Sequence, residues 1–138
     1  MCCSCGGRVG LQDDSARLLS GFARIVVCDV SDKLDALVLM NGARPAGVLH
    51  AAGVLQDGML RSMSMSRVDG VFAPKAMSAF HVNGAYARTP LEAMGFFSSI
   101  ASTFGNAGQA NYAAANSYLD TLASSRRLHG SFGSSLQI

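Results

Sequence analysis

Near the end of the chain, three polar residues have the types and the spacing of a proton-transfer site. Tyr112 and Asn116 are four residues apart in a stretch with a helical pattern, so a helix would present both side chains on one face. Ser99 precedes Tyr112 by 13 residues (112 − 99), which predicts a strand-end hydroxyl beside a phenol on the next helix. Ser98 is chemically equal but would point to the opposite face of a strand. A phenol can give a proton to an oxygen atom, while a nearby hydroxyl holds that oxygen as negative charge develops.

Apolar, strand-like runs alternate with helical patterns along most of the chain. This alternation is typical of an α/β fold with a doubly wound parallel sheet and helices on both faces. In the first helix, Leu34, Leu37, Val38 and Met40 are predicted to share one face. The predicted strands are 23–30, 46–53, 93–99 and the start of one near 133–138, and the predicted helices run from Ser31-Asp32 to Asn41-Gly42, from about Ser64 to Val82, and from Gln109 to Leu128.

Small or polar residues stand where three of the predicted strands end. Asp29, the run His50-Ala51-Ala52-Gly53 and the pair Ser98-Ser99 all occupy such positions. Parallel sheets bind their ligands at the carboxyl ends of strands, so we expect a cofactor edge there. The alternative is that these are ordinary strand exits, which are commonly polar.

Composition and charge exclude several classes of function. The chain has 138 residues, enough for one domain with a core, of which 49% are hydrophobic and 14% charged. A net charge of +2 with scattered basic residues does not favour nucleic-acid binding. No apolar run approaches the roughly 18 residues of a membrane helix, and the opening does not resemble a signal peptide. We therefore expect an intracellular, cytoplasmic protein without a membrane partner, with an organellar location left open.

Cysteines crowd the first five residues, at Cys2, Cys3 and Cys5. Adjacent cysteines are poorly placed to wrap a tetrahedral zinc ion, and the histidines are not spaced to complete a site. We expect a reduced, disordered terminus and no metal.

From about Ser4 to the end, the chain resembles the ketoreductase domains of modular polyketide synthases and fatty acid synthases, in the short-chain dehydrogenase/reductase superfamily. Most members of that superfamily carry a lysine four residues after the tyrosine, where this chain has Asn116. Polyketide ketoreductases resemble an exchanged version with the lysine on the preceding helix, and Lys75 lies 37 residues before Tyr112 (112 − 75). The resemblance implies that Tyr112 protonates, Ser99 holds the carbonyl oxygen, Lys75 tunes the tyrosine and Asn116 holds a water in a proton relay. The alternative for each of these four residues, taken alone, is an ordinary surface or helix residue without a catalytic role.

The same resemblance implies NADPH as the cofactor of a Rossmann-like sheet. Asp29 and Val30 would lie near the adenine. The nicotinamide ribose would meet Lys75, Tyr112 and the turn formed by His50, Ala51, Ala52 and Gly53.

The opening of the chain departs from the family pattern. The run Gly6-Gly7-Arg8-Val9-Gly10 lacks the T-G-x-x-G-x-x-G spacing of the pyrophosphate turn. Cys5 stands where an arginine usually grips the 2′-phosphate of NADPH, and Arg8 is the substitute to be considered. We therefore expect a poorly defined segment over 1–22, followed by a partial NADP-binding domain over 23–138 that lacks the first strand and its glycine-rich turn.

Two loop features bear on stereochemistry. Leu55-Gln56-Asp57 resembles the L-D-D motif of B-type ketoreductases, with Asp57 as its marker 55 residues before Tyr112 (112 − 57). A-type enzymes carry a tryptophan eight residues before the tyrosine, where this chain has Phe104. The resemblance thus predicts a B-type enzyme with a 3R product.

The function implied is reduction of a 3-oxoacyl thioester on an acyl carrier protein to the 3-hydroxyacyl thioester, beside neighbouring synthase domains. A catalytically silent fragment with a structural or interaction role is the alternative. A stand-alone reductase of steroids or sugars is disfavoured by the displaced lysine.

Overall fold

The computed structural model describes residues 2–4, 25–41 and 44–138 of the chain. Strands and helices alternate there as the sequence predicts, and the predicted α/β class is confirmed. In chain order the elements are β1 (Cys2–Ser4), β2 (Ile25–Val27), α1 (Lys33–Met40), β3 (Gly47–His50), a 3₁₀ turn (Leu60–Ser62), α2 (Met65–Phe72), a π-helical turn (Ala73–Met77), α3 (Ser78–Ala85), β4 (Ala93–Ser98), α4 (Ala101–Phe104), α5 (Ala110–Leu128) and β5 (Ser134–Gln137).

All strand pairs in the described part of the chain are parallel. β1 pairs with β2, and β4 lies between β3 and β5 in a second set. Parallel neighbours need crossover connections, which α2, the π-helical turn, α3 and α5 supply. His50 is opposite Phe96, and Ser98 is opposite Gln137. The carboxyl ends of β3, β4 and β5 therefore meet at one edge.

The core lies against one face of β4. Met94, Phe96 and Ser98 alternate along this strand with less buried residues, as expected for a pleated strand packed on one side. Leu119 of α5 and Val82 of α3 belong to the same buried cluster. The packing fixes both helices against the strand whose end carries Ser98 and Ser99.

Helix α1 has the predicted ends but a different buried face. The Asp32 side chain accepts from the backbone N–H groups of Leu34 and Asp35, which caps the helix. Leu34, Leu37 and Val38 are exposed, however, while Ala36 is buried and Leu39 and Met40 pack against the core. These last three are also spaced i, i+3 and i+4, so they form a competing stripe, and this is the one that contacts the core beside α3.

Within the segment for which disorder is expected, Cys2–Ser4 form β1, in register with Ile25–Val27. Cys5, Arg8 and the run from Gly6 to Gly10 lie outside the described residues.

No helix in the described ranges is long and apolar enough to cross a membrane. The same residues contain no group of three or more histidine, cysteine or acidic side chains placed to hold a metal ion.

The core predicts a specific stability difference along α5. Leu119 is fully buried, whereas Leu128 on the same helix is 86% exposed. We expect Leu119→Ala to lower the free energy of unfolding by about 2–5 kcal/mol, because it leaves a cavity against β4. Urea unfolding followed by circular dichroism measures this. Leu128→Ala is the matched control and is expected to change stability by less than about 0.5 kcal/mol; equal losses in the two variants would contradict the packing described.

Candidate active site

A π-helical turn between α2 and α3 carries Lys75. Pro74 has no N–H to give to a preceding carbonyl, which interrupts the regular helical ladder. The Ser78 hydroxyl donates to the Pro74 carbonyl, and the Ser78 backbone N–H donates to the Ala73 carbonyl. Such π-turns recur at functional sites. Here the turn buries Lys75, which is 4% exposed.

The Lys75 ammonium lies among neutral acceptors. It donates to the Phe97 carbonyl over 3.0 Å and to Asn116 Oδ1 over 2.8 Å. It also lies 5.1 Å from the centroid of the Tyr112 ring. Burial lowers the pKa of Lys75, and the negative charge of Asp120 opposes that effect. Because an ammonium has three protons and two are used, one remains for a group in the adjoining cleft.

Asn116 is oriented by its own helix. Its Nδ2 donates to the Tyr112 carbonyl over 2.8 Å, so its Oδ1 faces Lys75. Asn116 is fully buried, and α5 therefore presents Tyr112 and Asn116 on the face turned toward Lys75. The helical spacing predicted this shared face.

Gly53 makes room for the lysine stem. A Cβ on Gly53 would lie 2.8 Å from Lys75 Cε, closer than carbon atoms approach. The small-residue turn after β3 therefore serves the lysine directly.

His50 supports the same turn from β3. Its Nε2 lies 2.6 Å from Ser78 Oγ, and since the Ser78 proton goes to the Pro74 carbonyl, Nε2 is assigned as the donor. Nδ1 is then a buried acceptor without a partner among the described residues. Burial, and secondarily the positive charge of Lys75, lower the pKa of His50 to about 4. His50 is thus a neutral, buried support.

A cleft of about 370 Å³ opens at the carboxyl ends of β3 and β4. It is lined by Ala51, Gly53, Val54, Leu55, Lys75, Phe97, Ser98, Tyr112 and Ile138. Small side chains on the β3 side and a phenol and an ammonium on the helix side give it room for a flat ring and donors for a polar group. The neighbouring Ala52 is not among the lining residues.

Ser99 is buried beside this cleft without lining it. Its hydroxyl donates to the Ile138 carbonyl over 3.2 Å and accepts from the Ala101 N–H. Ser98 lines the cleft, and its hydroxyl donates to the Asn116 carbonyl over 3.3 Å. Of the four predicted catalytic residues, the structure thus brings Lys75, Tyr112 and Asn116 together, and leaves the Ser99 hydroxyl bonded elsewhere.

The residues predicted for the adenine end lie after β2. Asp29 is exposed, and its Oδ1 accepts from both the N–H and the hydroxyl of Ser31. Val30 is buried in the core, so its side chain is not available to a ligand. Only its backbone could face a cofactor.

Asp57 lies in the loop that reaches across to the start of α5. Its carboxylate accepts from Gln109 Nε2 over 3.1 Å, and the next N–H, of Gly58, donates to the Gly108 carbonyl. Asn111 Nδ2 donates to the Gln56 carbonyl over 3.0 Å. The loop is therefore tied to the helix that carries Tyr112.

Two residues of this region were missed by sequence reasoning. Asp120 continues the four-residue spacing of Tyr112 and Asn116, so extending that interval by one turn could have found it. Asn111 is buried and ties the loop before α2 to α5, and no spacing in the sequence indicates this role.

Residues 15–138 match the family model of the KR domain. The chain belongs to this family. It is 47% identical over 123 residues to polyketide synthase GfsA of Streptomyces halstedii. The alignment covers 86% of this chain and 2% of that protein. It is 42% identical over 142 aligned residues to the spectinabilin polyketide synthase system protein NorA′ of Streptomyces orinoci. That alignment covers 95% of this chain and 4% of that protein.

Solved structures agree with this membership. The first ketoreductase of the tylosin PKS is 34% identical with a TM-score of 0.83, over 90% of this chain and 28% of that one. A short-chain dehydrogenase/reductase from Vibrio parahaemolyticus, 17% identical with a TM-score of 0.73 over 91% of this chain and 66% of that one, shares the fold. The chain thus spans a small part of its curated relatives and under a third of the tylosin ketoreductase. Membership of this family implies a nicotinamide cofactor.

The environment of His50 predicts a pH dependence of stability. The pKa of His50 is about 4 in the folded chain and about 6.5 when unfolded. The unfolded state therefore binds more protons between these values, so stability is fully present above pH 6.5 and is lost as pH falls toward 4. The shift corresponds to about 3 kcal/mol.

Urea unfolding at intervals from pH 4 to 8 measures this loss. In His50→Gln the dependence over this range is expected to flatten. His129→Gln, a change at an exposed histidine, is the control that should keep it. The same slope in wild type and His50→Gln would contradict the assignment.

Proposed function

We propose that the chain is a ketoreductase unit that reduces a 3-oxoacyl thioester, carried on an acyl carrier protein, to the 3-hydroxyacyl thioester with NADPH. The observation that carries the proposal is the buried Lys75 ammonium, held by Asn116 beside the Tyr112 ring at the mouth of a cleft. Lys75, Ser99, Tyr112 and Asn116 are the proposed catalytic residues.

The chemistry of a ketone reduction requires a proton for the oxygen as well as a hydride for the carbon. A bound NADPH supplies the hydride. Tyr112 gives its phenolic proton to the substrate oxygen, and the phenolate left behind is stabilised by the positive charge of Lys75. Asn116 holds that charge in place and, in this proposal, holds a water through which Tyr112 is reprotonated. Ser99 turns its hydroxyl from the Ile138 carbonyl to the substrate oxygen.

The cleft fits the nicotinamide end of the cofactor. Ala51 and Gly53 leave space on the β3 side, and the third ammonium proton of Lys75 is available for a ribose hydroxyl. Ala52, His50 and Val30 would contribute backbone groups, since the last two have buried side chains.

At the far end, Asp29 would meet the adenine. Its carboxylate is exposed after β2, at the carboxyl end of a parallel strand where such ligands bind.

The substrate class rests on the relatives and on the loop at Asp57. GfsA and NorA′ are named as polyketide synthase proteins, which supports an acyl thioester and neighbouring synthase domains. Asp57 is held at the start of α5 by Gln109. We assign the B-type, 3R outcome to this loop, and the absence of tryptophan from the chain agrees with it.

A catalytically silent structural role is the second candidate. It is favoured by one observation: within the described residues, the two strands β1 and β2 and the three strands β3, β4 and β5 form separate sheets. A sheet divided in this way would hold the two ends of a dinucleotide on unconnected edges.

The first prediction of the proposal concerns Tyr112. Tyr112→Phe removes the proton donor and keeps the ring, so we expect turnover to fall by about 10²–10⁴-fold with cofactor affinity unchanged. Turnover is measured as NADPH oxidation with a 3-oxoacyl thioester. Tyr118→Phe, on the same helix and packed against the core, is the matched control and should keep turnover. Full activity in Tyr112→Phe would remove the phenol from the mechanism.

The second prediction concerns cofactor binding. We expect saturable NADPH binding in a fluorescence titration, weakened in Lys75→Met because the ammonium that would meet the ribose is lost. Lys33→Met changes the other lysine of the chain, which is exposed on α1, and should bind as wild type does. If wild type shows no saturable binding, the silent role is favoured instead.

A further inference from the structure

Lys75 carries a buried positive charge whose hydrogen-bond partners are both neutral. The Phe97 carbonyl and the Asn116 amide oxygen accept from it, but neither has a formal charge. Burial disfavours the charged form of an ammonium, and an opposite charge within electrostatic reach opposes that effect. A nearby anion would therefore favour the charged form of Lys75.

Asp120 is placed to be that anion. Tyr112, Asn116 and Asp120 follow one another at intervals of four residues on α5, so they line one helix face. Asn116 contacts Lys75 directly, and Asp120 lies one helical turn beyond Asn116. Lys75 thus contacts α5 at Asn116, one helical turn from Asp120.

The Asp120 carboxylate is held on one oxygen and unpartnered on the other. Oδ2 accepts from Ser102 Oγ over 2.7 Å and from Gln137 Nε2 over 2.9 Å, which fixes it between α4 and β5. Oδ1 is buried and accepts no hydrogen bond within the described ranges. Burial raises the pKa of Asp120, but hydrogen bonds from side chains such as Ser102 and Gln137 lower it by more, so the carboxylate is held in its charged form.

We propose that Asp120 is a positioning residue of this site, which balances the charge of Lys75 across Asn116 and so keeps the ammonium beside Tyr112 in its charged form. The inference rests on the proposed function for its catalytic meaning. The titratable groups around Lys75 are Tyr112 and Asp120 from α5 and the imidazole of His50 from β3; β4 contributes the Phe97 carbonyl. Asp120 is the carboxylate among them.

The lysine content of the chain makes a direct test possible. The chain has two lysines, the buried Lys75 and the exposed Lys33. With ¹³C at the lysine ε carbon, an NMR titration gives two signals, assigned with Lys33→Met, and Lys33 is the internal reference. We expect the titration midpoint of Lys75 in wild type to lie below the ordinary value of a lysine side chain, because burial disfavours the charged form.

Asp120→Asn keeps the shape of the side chain and removes its charge. We expect the titration midpoint of Lys75 to fall further in this variant, while the midpoint of Lys33 stays where it is in wild type. Asp120→Glu keeps the charge and should return the Lys75 midpoint most of the way to its wild-type value. Asp69→Asn removes an exposed carboxylate from α2 and should leave both midpoints unchanged. An unchanged Lys75 midpoint in a folded Asp120→Asn protein, or an equal drop in Asp69→Asn, overturns the proposal.

A second neutral variant and a wild-type measurement complete the test. If Asp120→Asn does not fold, Asp120→Ser is judged by the same shift. If neither folds, the Lys75 signal of wild type should show a second inflection at the pH where the Asp120 carboxyl carbon titrates, and its absence overturns the proposal. None of these readouts needs turnover, so they remain decisive even if the reductase assay of Tyr112→Phe refutes the proposed function.

Discussion

Burial of one ammonium group is the constraint around which this site is organised. The Lys75 ammonium is buried where a carbonyl near the end of β4 and an amide on α5 accept from it, and the charge of Asp120 opposes the effect of burial on its pKa. Each acceptor comes from a different element. The ammonium therefore joins the π-helical turn, the central strand and the long helix into one unit.

That constraint explains features that have no evident purpose separately. A glycine is needed at position 53 because a Cβ there would lie 2.8 Å from Lys75 Cε. The Ser78 hydroxyl donates a hydrogen bond to the Pro74 carbonyl, and His50 Nε2 donates one to the Ser78 oxygen. A buried imidazole therefore stabilises the π-helical turn. Together these contacts make the turn rigid, and a rigid turn can keep an ammonium beside a phenol.

The packing of α5 serves both stability and chemistry. Its buried face contains Leu119 and Ala123, which pack against β4, and Asn116, which contacts Lys75. Because the apolar and polar residues of this face share one helix, the core that holds α5 against the sheet also fixes the orientation of Tyr112. Membership of the KR domain family agrees with this arrangement.

The sequence by itself determined the order of elements and the residue types at the site, because hydrophobic periodicity and the four-residue helical spacing are local properties. It predicted that Tyr112 and Asn116 share a face and, by resemblance, that Lys75 belongs with them. Tertiary structure decided what depends on long-range packing: which stripe of α1 is buried, that the Ser99 hydroxyl bonds to Ile138, and that the Asp120 carboxylate accepts from Ser102 and Gln137. Those contacts join residues far apart along the chain, and such contacts form only when whole elements dock.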